Sequence, residues 1–425
     1  MKILVVGGGG REHTLAWKLA SDSCKPELFC APGNAGTLEI CTNLDIKAED
    51  IDGLLKWAVE NRPDLTVVGP EVPLCAGLTD RFNDEGLAVF GPNKAAALLE
   101  GSKLFAKEVM QAGGVPTAAA KSFTDADDAR AYVANHSFPV VIKADGLAAG
   151  KGVYICNDIK AAEDAISDVL IEREFGDAGR ELLVEECLVG EEVSILALID
   201  GENILMLSSS QDHKRAYNGD KGPNTGGMGA YSPAPIMTDE LWPIVKNEVF
   251  QRTIDELKKR RITYKGVMYA GLMVTADGVK VLEFNCRFGD PETQVVIPRI
   301  KGDLVPVLQA CIDGTLQDDM IQWRPEAAAC VVMAAGGYPG KYEKGKVILG
   351  LQEQEVKDNV IIFHAGTSIK NGEVVTSGGR VIGVTALGDN LEMALRKVYD
   401  SITHIEFSQA QYRTDIGKKA VCLSD

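Results

Sequence analysis

The chain has 425 residues, 44 Lys plus Arg against 61 Asp plus Glu, and a formal net charge of −17. That length exceeds one compact core and predicts two to four domains. The negative balance argues against a general binder of nucleic acid or of anionic membrane, but a local cationic pocket for a phosphorylated small molecule fits inside an acidic shell. No apolar stretch reaches the length of a membrane span. The apolar run after Met1 is cut by glycines too early for a signal-peptide core, so a cytoplasmic chain without a targeting segment is expected. The ten cysteines include no Cys-x-x-Cys pair, which predicts reduced thiols rather than a disulfide frame or zinc site.

Residues 2–6 read as a buried strand, glycines 7–10 as a turn and residues 11–20 as a helix. Further strands are expected at 28–30, 64–68 and 87–90, each closed by a Gly/Pro/Asn turn. Short apolar strands alternating with helices predict a doubly wound parallel sheet, with ligands beyond the carboxyl ends of its strands. The pattern changes near residue 103. A helix at 103–112 is followed by strand 138–143, a glycine loop and strand 153–156, hence an antiparallel pair. Strands recur near 181–186, 193–199, 203–208, 267–275 and 279–284, a mixed α+β region. From about 328 come more strands, a Lys-Asn-Gly-Glu hairpin signal at 370–373 and a helix at 390–401, read as a small mixed β domain.

Glycines 7–10 stand where a dinucleotide fingerprint would stand. Glu12 replaces the last fingerprint glycine, and the second strand ends in Ala-Pro-Gly-Asn with no acid for a ribose. The pattern therefore departs from an NAD fingerprint at two points. Backbone N–H groups at a helix start still favour a phosphate, while a plain tight turn needs fewer glycines. The loop 146–152 resembles a P-loop but has one residue too few between its glycines, Gly152 in place of Ser/Thr, and a strand after it. Such a hairpin loop can fold over a triphosphate. Lys143 ends the strand before it and either reaches solvent or meets an anion.

On the strand around 281–287, Glu283, Asn285 and Arg287 alternate to one face, and Leu282, Phe284 and Cys286 to the other, into core. A carboxylate beside an amide oxygen suits Mg²⁺ on ATP phosphates, and Arg287 suits a phosphoryl group in transfer. A half-solvated sheet face would look the same. The stretch 182–194 is strand, acidic turn, strand. It fits either an adenosine-binding connection or an exposed hairpin.

Lys103, Lys143, the 146–152 loop, the acidic turn and Glu283-Phe284-Asn285 occur in an order that resembles the ATP-grasp superfamily. Longer stretches narrow it: Asn-Cys-Arg-Phe-Gly-Asp-Pro-Glu-Thr-Gln at 285–294, Gly-Pro-Asn-Thr-Gly-Gly-Met-Gly-Ala-Tyr-Ser-Pro at 222–233, Ser-Gln-Asp-His-Lys-Arg at 210–215, Ala-Pro-Gly-Asn-Ala-Gly-Thr at 31–37 and Gly-Gly-Arg-Glu-His at 9–13. Up to the tail at 413–417 the chain is similar to the phosphoribosylamine–glycine ligase family.

The resemblance implies three domains: a doubly wound one at 1–102, an ATP-grasp domain at 103–325 with a lid at about 120–190, and a small C-terminal one at 326–425. It implies that the carboxylate of glycine takes the γ-phosphoryl group of ATP. The amine of 5-phosphoribosylamine then displaces phosphate, giving glycinamide ribonucleotide, the second step of purine synthesis. By the same resemblance, Glu283 and Asn285 hold Mg²⁺ or Mn²⁺. Lys103, Lys143, Gly150, Lys151 and Gly152 meet ATP phosphates. Glu185 and Leu188 border the adenine, and Glu192 takes the ribose. Arg287, Asp212 and Lys214 are the catalytic candidates. His213 is either their neighbour in a polar cluster or a loop histidine bonding backbone. Gly9, Gly10, Asn34, Pro70, Glu71, Asn224, Thr225 and Asp290 are the substrate candidates. A monomer acting on small molecules is expected, with no nucleic-acid or membrane partner. One departure stands out: many superfamily members carry an acid on the preceding strand, and residues 269–274 hold none. Another ATP-grasp carboxylate–amine ligase, or an NAD-dependent oxidoreductase, is the alternative.

Overall fold

The computed structural model describes residues 1–147, 152–351 and 359–421. Its first sheet is built from β1 (Lys2–Gly7), β2 (Glu27–Pro32), β3 (Thr42–Asn43), β4 (Leu65–Val68) and β5 (Val89–Phe90). The order is β3-β2-β1-β4-β5 and every pairing is parallel, as expected. Ile3, Leu4, Val5 and Val6 are fully buried. A parallel sheet is covered on both faces, which is why this strand is an unbroken apolar run. The chain crosses from one half of the sheet to the other between β1 and β4, where such sheets open a crevice.

A second, antiparallel sheet has the order β6-β9-β7-β8, from Ala120–Phe123 (β6), Val140–Ala144 (β7), Val153–Cys156 (β8) and Leu182–Glu186 (β9). With helices Ala126–Val133 and Ile159–Ile166 it encloses its own core of Phe123, Val133, Ile142, Ile166 and Val184. β7 and β8 are the predicted hairpin around the glycine loop. Gly150 and Lys151 lie outside the described residues. The Gly152 carbonyl accepts the Ala144 N–H at 2.9 Å.

β10 (Glu191–Asp200) then pairs with β11 (Ile204–Met206). Four short strands follow: β12 (Gln211–Asp212), β13 (Arg215–Tyr217), β14 (Lys221–Asn224) and β15 (Gly229–Ser232). The chain returns as β16 (Lys265–Thr275) and β17 (Gly278–Asn285) to complete the sheet β11-β10-β16-β17. A small ribbon joins β18 (Ile300–Lys301) to β19 (Gln322–Trp323).

The last strands are β20 (Ala327–Ala334), β21 (Val360–His364), β22 (Thr367–Lys370), β23 (Glu373–Thr376) and β24 (Arg380–Gly388). Their main sheet has the order β12-β15-β20-β24-β21. Two of its five strands therefore come from residues 211–232, a long way before the expected start of this region. The predicted hairpin is β22–β23, turned by Asn371 (φ 55°) and Gly372 (φ 83°). Positive φ at both turn positions is what an Asn-Gly pair supplies. Helix Leu391–Ile402 packs on this sheet through Ala394, Leu395, Val398 and Ile402.

Two buried histidines join the first sheet's helix Gly10–Ala20 to β21. The His13 Nδ1 accepts the His364 N–H at 2.8 Å. Burial pushes His13 down to about 3, with His364 beside it adding to the shift, and burial pushes His364 down to about 4. Both are thus neutral when folded. Below the ordinary histidine pKa the unfolded chain binds protons that the folded chain refuses, so stability falls as pH drops from about 6.5 toward 4. The expected loss from these groups between pH 7 and 5 is on the order of 2 kcal/mol each. Melting curves of the wild type and of His13→Gln should therefore converge as pH falls across that range. A difference that does not change with pH would refute the assignment.

Candidate active site

The predicted acidic face of β17 exists, but a bulge makes it. Gly271 pairs with Glu283 and Leu272 with Val281, leaving Leu282 unpaired. A bulge resets which face each later residue meets. Val279 and Val281 are buried before it, and Phe284 and Cys286 after it. Leu282 was expected in the core. It is instead the half-buried bulge residue, and its carbonyl accepts the Lys143 ammonium at 3.0 Å. Glu283 and Asn285 face the cleft together. Their carboxylate and amide oxygens are hard donors of the kind Mg²⁺ and Mn²⁺ take. Gly271 opposite Glu283 brings no further ligand. Among the described residues no group of three or more His, Cys, Asp or Glu is placed to hold a metal, so the donor set fits an ion completed by phosphate oxygens.

Cations surround this face. Burial pushes the Glu283 carboxyl up, but Lys214, Lys143, Lys103 and Arg287 outweigh it and hold it below the usual range. Lys214 Nζ lies 3.9 Å from Glu283 and 2.9 Å from Glu192. Lys103, at the start of helix Lys103–Gly113, donates to the Gly146 carbonyl at 2.8 Å. The Lys143 ammonium meets Glu185 at 2.7 Å. Glu185 is buried, and Leu188 is half-buried on the connection from β9 to β10.

Arg287 is more tied down than a free phosphate binder. Its guanidinium meets Glu100 at 3.0 Å and Glu71 at 3.4 Å, and donates to Asn285 Oδ1 at 3.3 Å. Glu100 also accepts the Cys286 N–H at 2.7 Å. Burial opposes the charge on Arg287, and Glu100 and Glu71 hold it firmly protonated.

On the 210–233 segment, alternation separates the polar trio. Lys214 and Asp212 face the cleft. Burial pushes Asp212 up to about 8; Lys214 resists, while the Glu292, Glu192 and Glu283 carboxylates add to the rise. Among the described residues its carboxylate makes no ion pair. Glu292 lies close by and accepts Tyr269 Oη at 3.1 Å and Ser194 Oγ at 3.4 Å. His213 turns away. Its Nε2 accepts the Gly417 N–H at 3.3 Å, and burial lowers it to about 4. It is the loop histidine of the two readings. Thr225 caps the turn, donating to the Lys214 carbonyl at 2.9 Å, and Asn224 pairs with Arg215.

The first sheet's strand ends hold the remaining candidates. Glu12 folds back so that the Gly9 N–H reaches its Oε2 at 2.6 Å, and Arg11 meets its Oε1 at 2.6 Å. Its side chain fills the β1/β4 crevice: a methyl group on Gly69 would sit 2.0 Å from Glu12 Oε1. A carboxylate there repels a dinucleotide pyrophosphate, which removes the physical basis of the NAD reading. It also withdraws the Gly9 N–H from any phosphate. Gly10 is buried against Gln294. Asn34 was expected to touch substrate, but its amide donates to Gly8 O at 3.0 Å and His364 O at 2.8 Å and accepts Gly36 N and Thr37 N at 2.9 and 3.1 Å. That uses its bonding capacity, so it shapes the loop instead. Pro70 caps helix Glu71–Ala76. Asp290 accepts Gln294 Nε2 at 2.7 Å and meets Arg380 at 2.9 Å.

Comparison with known proteins agrees with this layout. Profiles described as Phosphoribosylglycinamide synthetase N domain, ATP-grasp (A) domain and C domain match residues 1–100, 101–293 and 328–419. The chain belongs to the phosphoribosylglycinamide synthetase family. A phosphoribosylamine–glycine ligase of Rhodopirellula baltica is 49% identical over 100% of this chain and 98% of its own. One from a Nostoc species is 50% identical over 98% and 99%. The crystal structure of the Thermotoga maritima phosphoribosylamine–glycine ligase superposes with a TM-score of 0.86 at 33% identity, covering 98% of this chain and 100% of that one. The fold alone is shared with a Campylobacter jejuni biotin carboxylase, at a TM-score of 0.74, 14% identity and 97% and 92% coverage.

Four residues of this family member were not singled out by sequence: Glu100, Lys107, Glu292 and Arg380. Arg380 reaches from β24 to the Asp290 carboxylate and to the Asp290 carbonyl at 2.8 Å. Only Glu292 lay inside a quoted motif. No sequence signal marks Glu100 or Arg380, because their partners are far away in the chain.

Proposed function

We propose that the cleft between β7–β9 and β17 binds ATP with a divalent cation, Mg²⁺ or Mn²⁺, and activates glycine beside it. The chain is an ATP-dependent carbon–nitrogen ligase of purine biosynthesis, joining glycine to 5-phosphoribosylamine. The observation that carries the site reading is the convergence of Lys103, Lys143, Lys214 and Arg287 on Glu283.

When bound, the divalent ion supplies charge neutralisation on the phosphates, through Glu283 and Asn285. Lys103 and Lys143 hold the phosphate chain, and Gly150, Lys151 and Gly152 are assigned to the same phosphates. Glu185 and Leu188 border the adenine, and Glu192 takes the ribose. Phosphoryl transfer needs mainly alignment and charge stabilisation, and Lys214 and Arg287 provide positive charge where the glycine carboxylate attacks the γ-phosphorus. ADP leaves. The amine of phosphoribosylamine then attacks the acyl carbon and phosphate departs. Asp212 and Glu292 form an acidic pair beside Lys214, with carboxylate oxygens suited to the glycine ammonium. Pro70, Glu71, Asn224, Thr225 and Asp290 border the phosphoribosylamine side, with Gly9, Gly10 and Asn34 shaping it from behind.

We assign phosphoribosylamine to 1–102, ATP and glycine to 103–325, and closure of the substrate loops to 326–425. One chain carries every residue in this scheme, and all nine described cysteines are free thiols, in keeping with a monomer in the cytoplasm. Sustained ADP release, beyond one equivalent per enzyme, should require glycine, phosphoribosylamine and ATP together. Asp212→Asn should raise the KM for glycine about 10-fold or more, as loss of a charged hydrogen bond does, with the KM for ATP little changed. An unchanged glycine KM would move the ammonium site elsewhere. Turnover with a different amino acid and none with glycine would overturn the substrate assignment.

A further inference from the structure

We propose that Lys107, which touches no ligand in the scheme above, sets the charge that ATP meets at Lys143. Lys107 and Glu185 are each 4% exposed and Lys143 is 8% exposed. Glu185 Oε1 lies 2.9 Å from Lys107 Nζ, and Oε2 lies 2.7 Å from Lys143 Nζ. One carboxylate therefore answers two ammonium groups. Counted over these three side chains alone, the array carries one excess positive charge where water is nearly absent, with Glu186 and Glu283 the next carboxylates out. Such a charge is costly unless an anion joins it.

The hydrogen bonds say where the excess is expressed. Lys107 spends its three donors on Glu185, Thr117 Oγ1 at 2.8 Å and the Ala118 carbonyl at 3.1 Å. It has nothing left for a ligand. Lys143 uses Glu185 and the Leu282 carbonyl at 3.0 Å. Among the described residues one of its donors is uncommitted, and it stands three residues before Gly146. Lys107 thus occupies one oxygen of Glu185 and leaves Lys143 only half neutralised. Without Lys107, Glu185 would cancel Lys143, and a phosphate would meet a neutral pair. Lys107 is a positioning residue acting through Glu185.

This inference rests on the reading that Lys143 meets the ATP phosphates, so Lys143→Met serves as the control. In the full-length enzyme with saturating glycine and phosphoribosylamine, Lys107→Met should raise the KM for ATP at least 10-fold while kcat falls less than about 3-fold, the cost of about one lost charge interaction. Its melting temperature should change little, because the remaining pair is balanced. Lys107→Arg should retain the wild-type KM. The decisive variant is Lys107→Met with Glu185→Gln. Removing the carboxylate frees Lys143 again, so the double variant should recover the ATP KM at least 3-fold relative to the single. A double variant worse than the single would mean a merely structural residue and overturn the proposal. An unchanged ATP KM in Lys107→Met, with a raised one in Lys143→Met, would overturn it and leave the ATP site standing. An unchanged KM in both would overturn the phosphate reading of Lys143 as well. Should Lys107→Met not fold, Lys107→Gln takes its place: an ATP KM raised at least 10-fold supports the proposal, and an unchanged one overturns it.

Discussion

Glu283→Gln is expected to lower turnover by at least about 100-fold while leaving the melting temperature within a few degrees, because it removes charge from the proposed metal site and little from the fold. The Glu283 side chain is 40% accessible and its nearest cation, Lys214, is 3.9 Å away and already held by Glu192 at 2.9 Å. The fold therefore does not depend on this carboxylate. Its ionised state is held by Lys214, Lys143, Lys103 and Arg287 against the effect of burial. ADP release measured across a Mg²⁺ titration, beside a melting curve, checks both halves. Unchanged turnover would sink the metal assignment. A large fall in melting temperature would show Glu283 to be a structural residue after all.

Arg287→Met should behave in the opposite way, losing activity and stability together. The Glu100 side chain is 7% exposed and meets the guanidinium at 3.0 Å, with Glu71 at 3.4 Å on the other edge. Removing the cation strands these carboxylates, at a cost of about 3–5 kcal/mol for a broken buried pair. Glu100→Gln in the same chain should recover much of that stability, since a neutral amide needs no counter-charge. Activity should stay low in the double variant, because the cation next to Asn285 is still missing. Denaturant unfolding and turnover, measured on the same two proteins, separate the two roles. Recovery of turnover with stability would show that Arg287 only holds the strand and does not assist transfer.

Much of this was legible in the sequence where local pattern and local consequence coincide. The unbroken apolar run at 3–6 and the glycine turns named the parallel sheet. The Asn-Gly pair at 371–372 named its hairpin. The face of Glu283 and Asn285 followed from alternation, yet the reading placed Leu282 in the core. The signal was present: Val281 and Leu282 are adjacent apolar residues in an otherwise alternating strand, a mark of a bulge. Alternation would also have turned His213 away from Asp212 and Lys214. Lys107 stands among Ala106, Val109 and Met110 on a buried helix face, a position where a lysine needs an acid. What stayed hidden depends on distance in sequence. Glu100 and Cys286 meet across 186 residues, and strands of two and four residues such as β12 and β15 are too short to show any period.

Those two short strands govern how the molecule can be divided and moved. β15 is hydrogen-bonded to β20 along Gly229 to Ser232, so the loop carrying Asp212 and Lys214 hangs from the last quarter of the chain. A cut before residue 326 would strip β15 of its neighbour and leave a bare sheet edge, an invitation to pair with another chain. The catalytic region is thus not a detachable cartridge. The same segment is bridged to β10 through Ser194 and Ser210, so Asp212 and Lys214 sit on the seam where the C-terminal sheet and the sheet of β17 are stitched together, and strain between the two is felt there first.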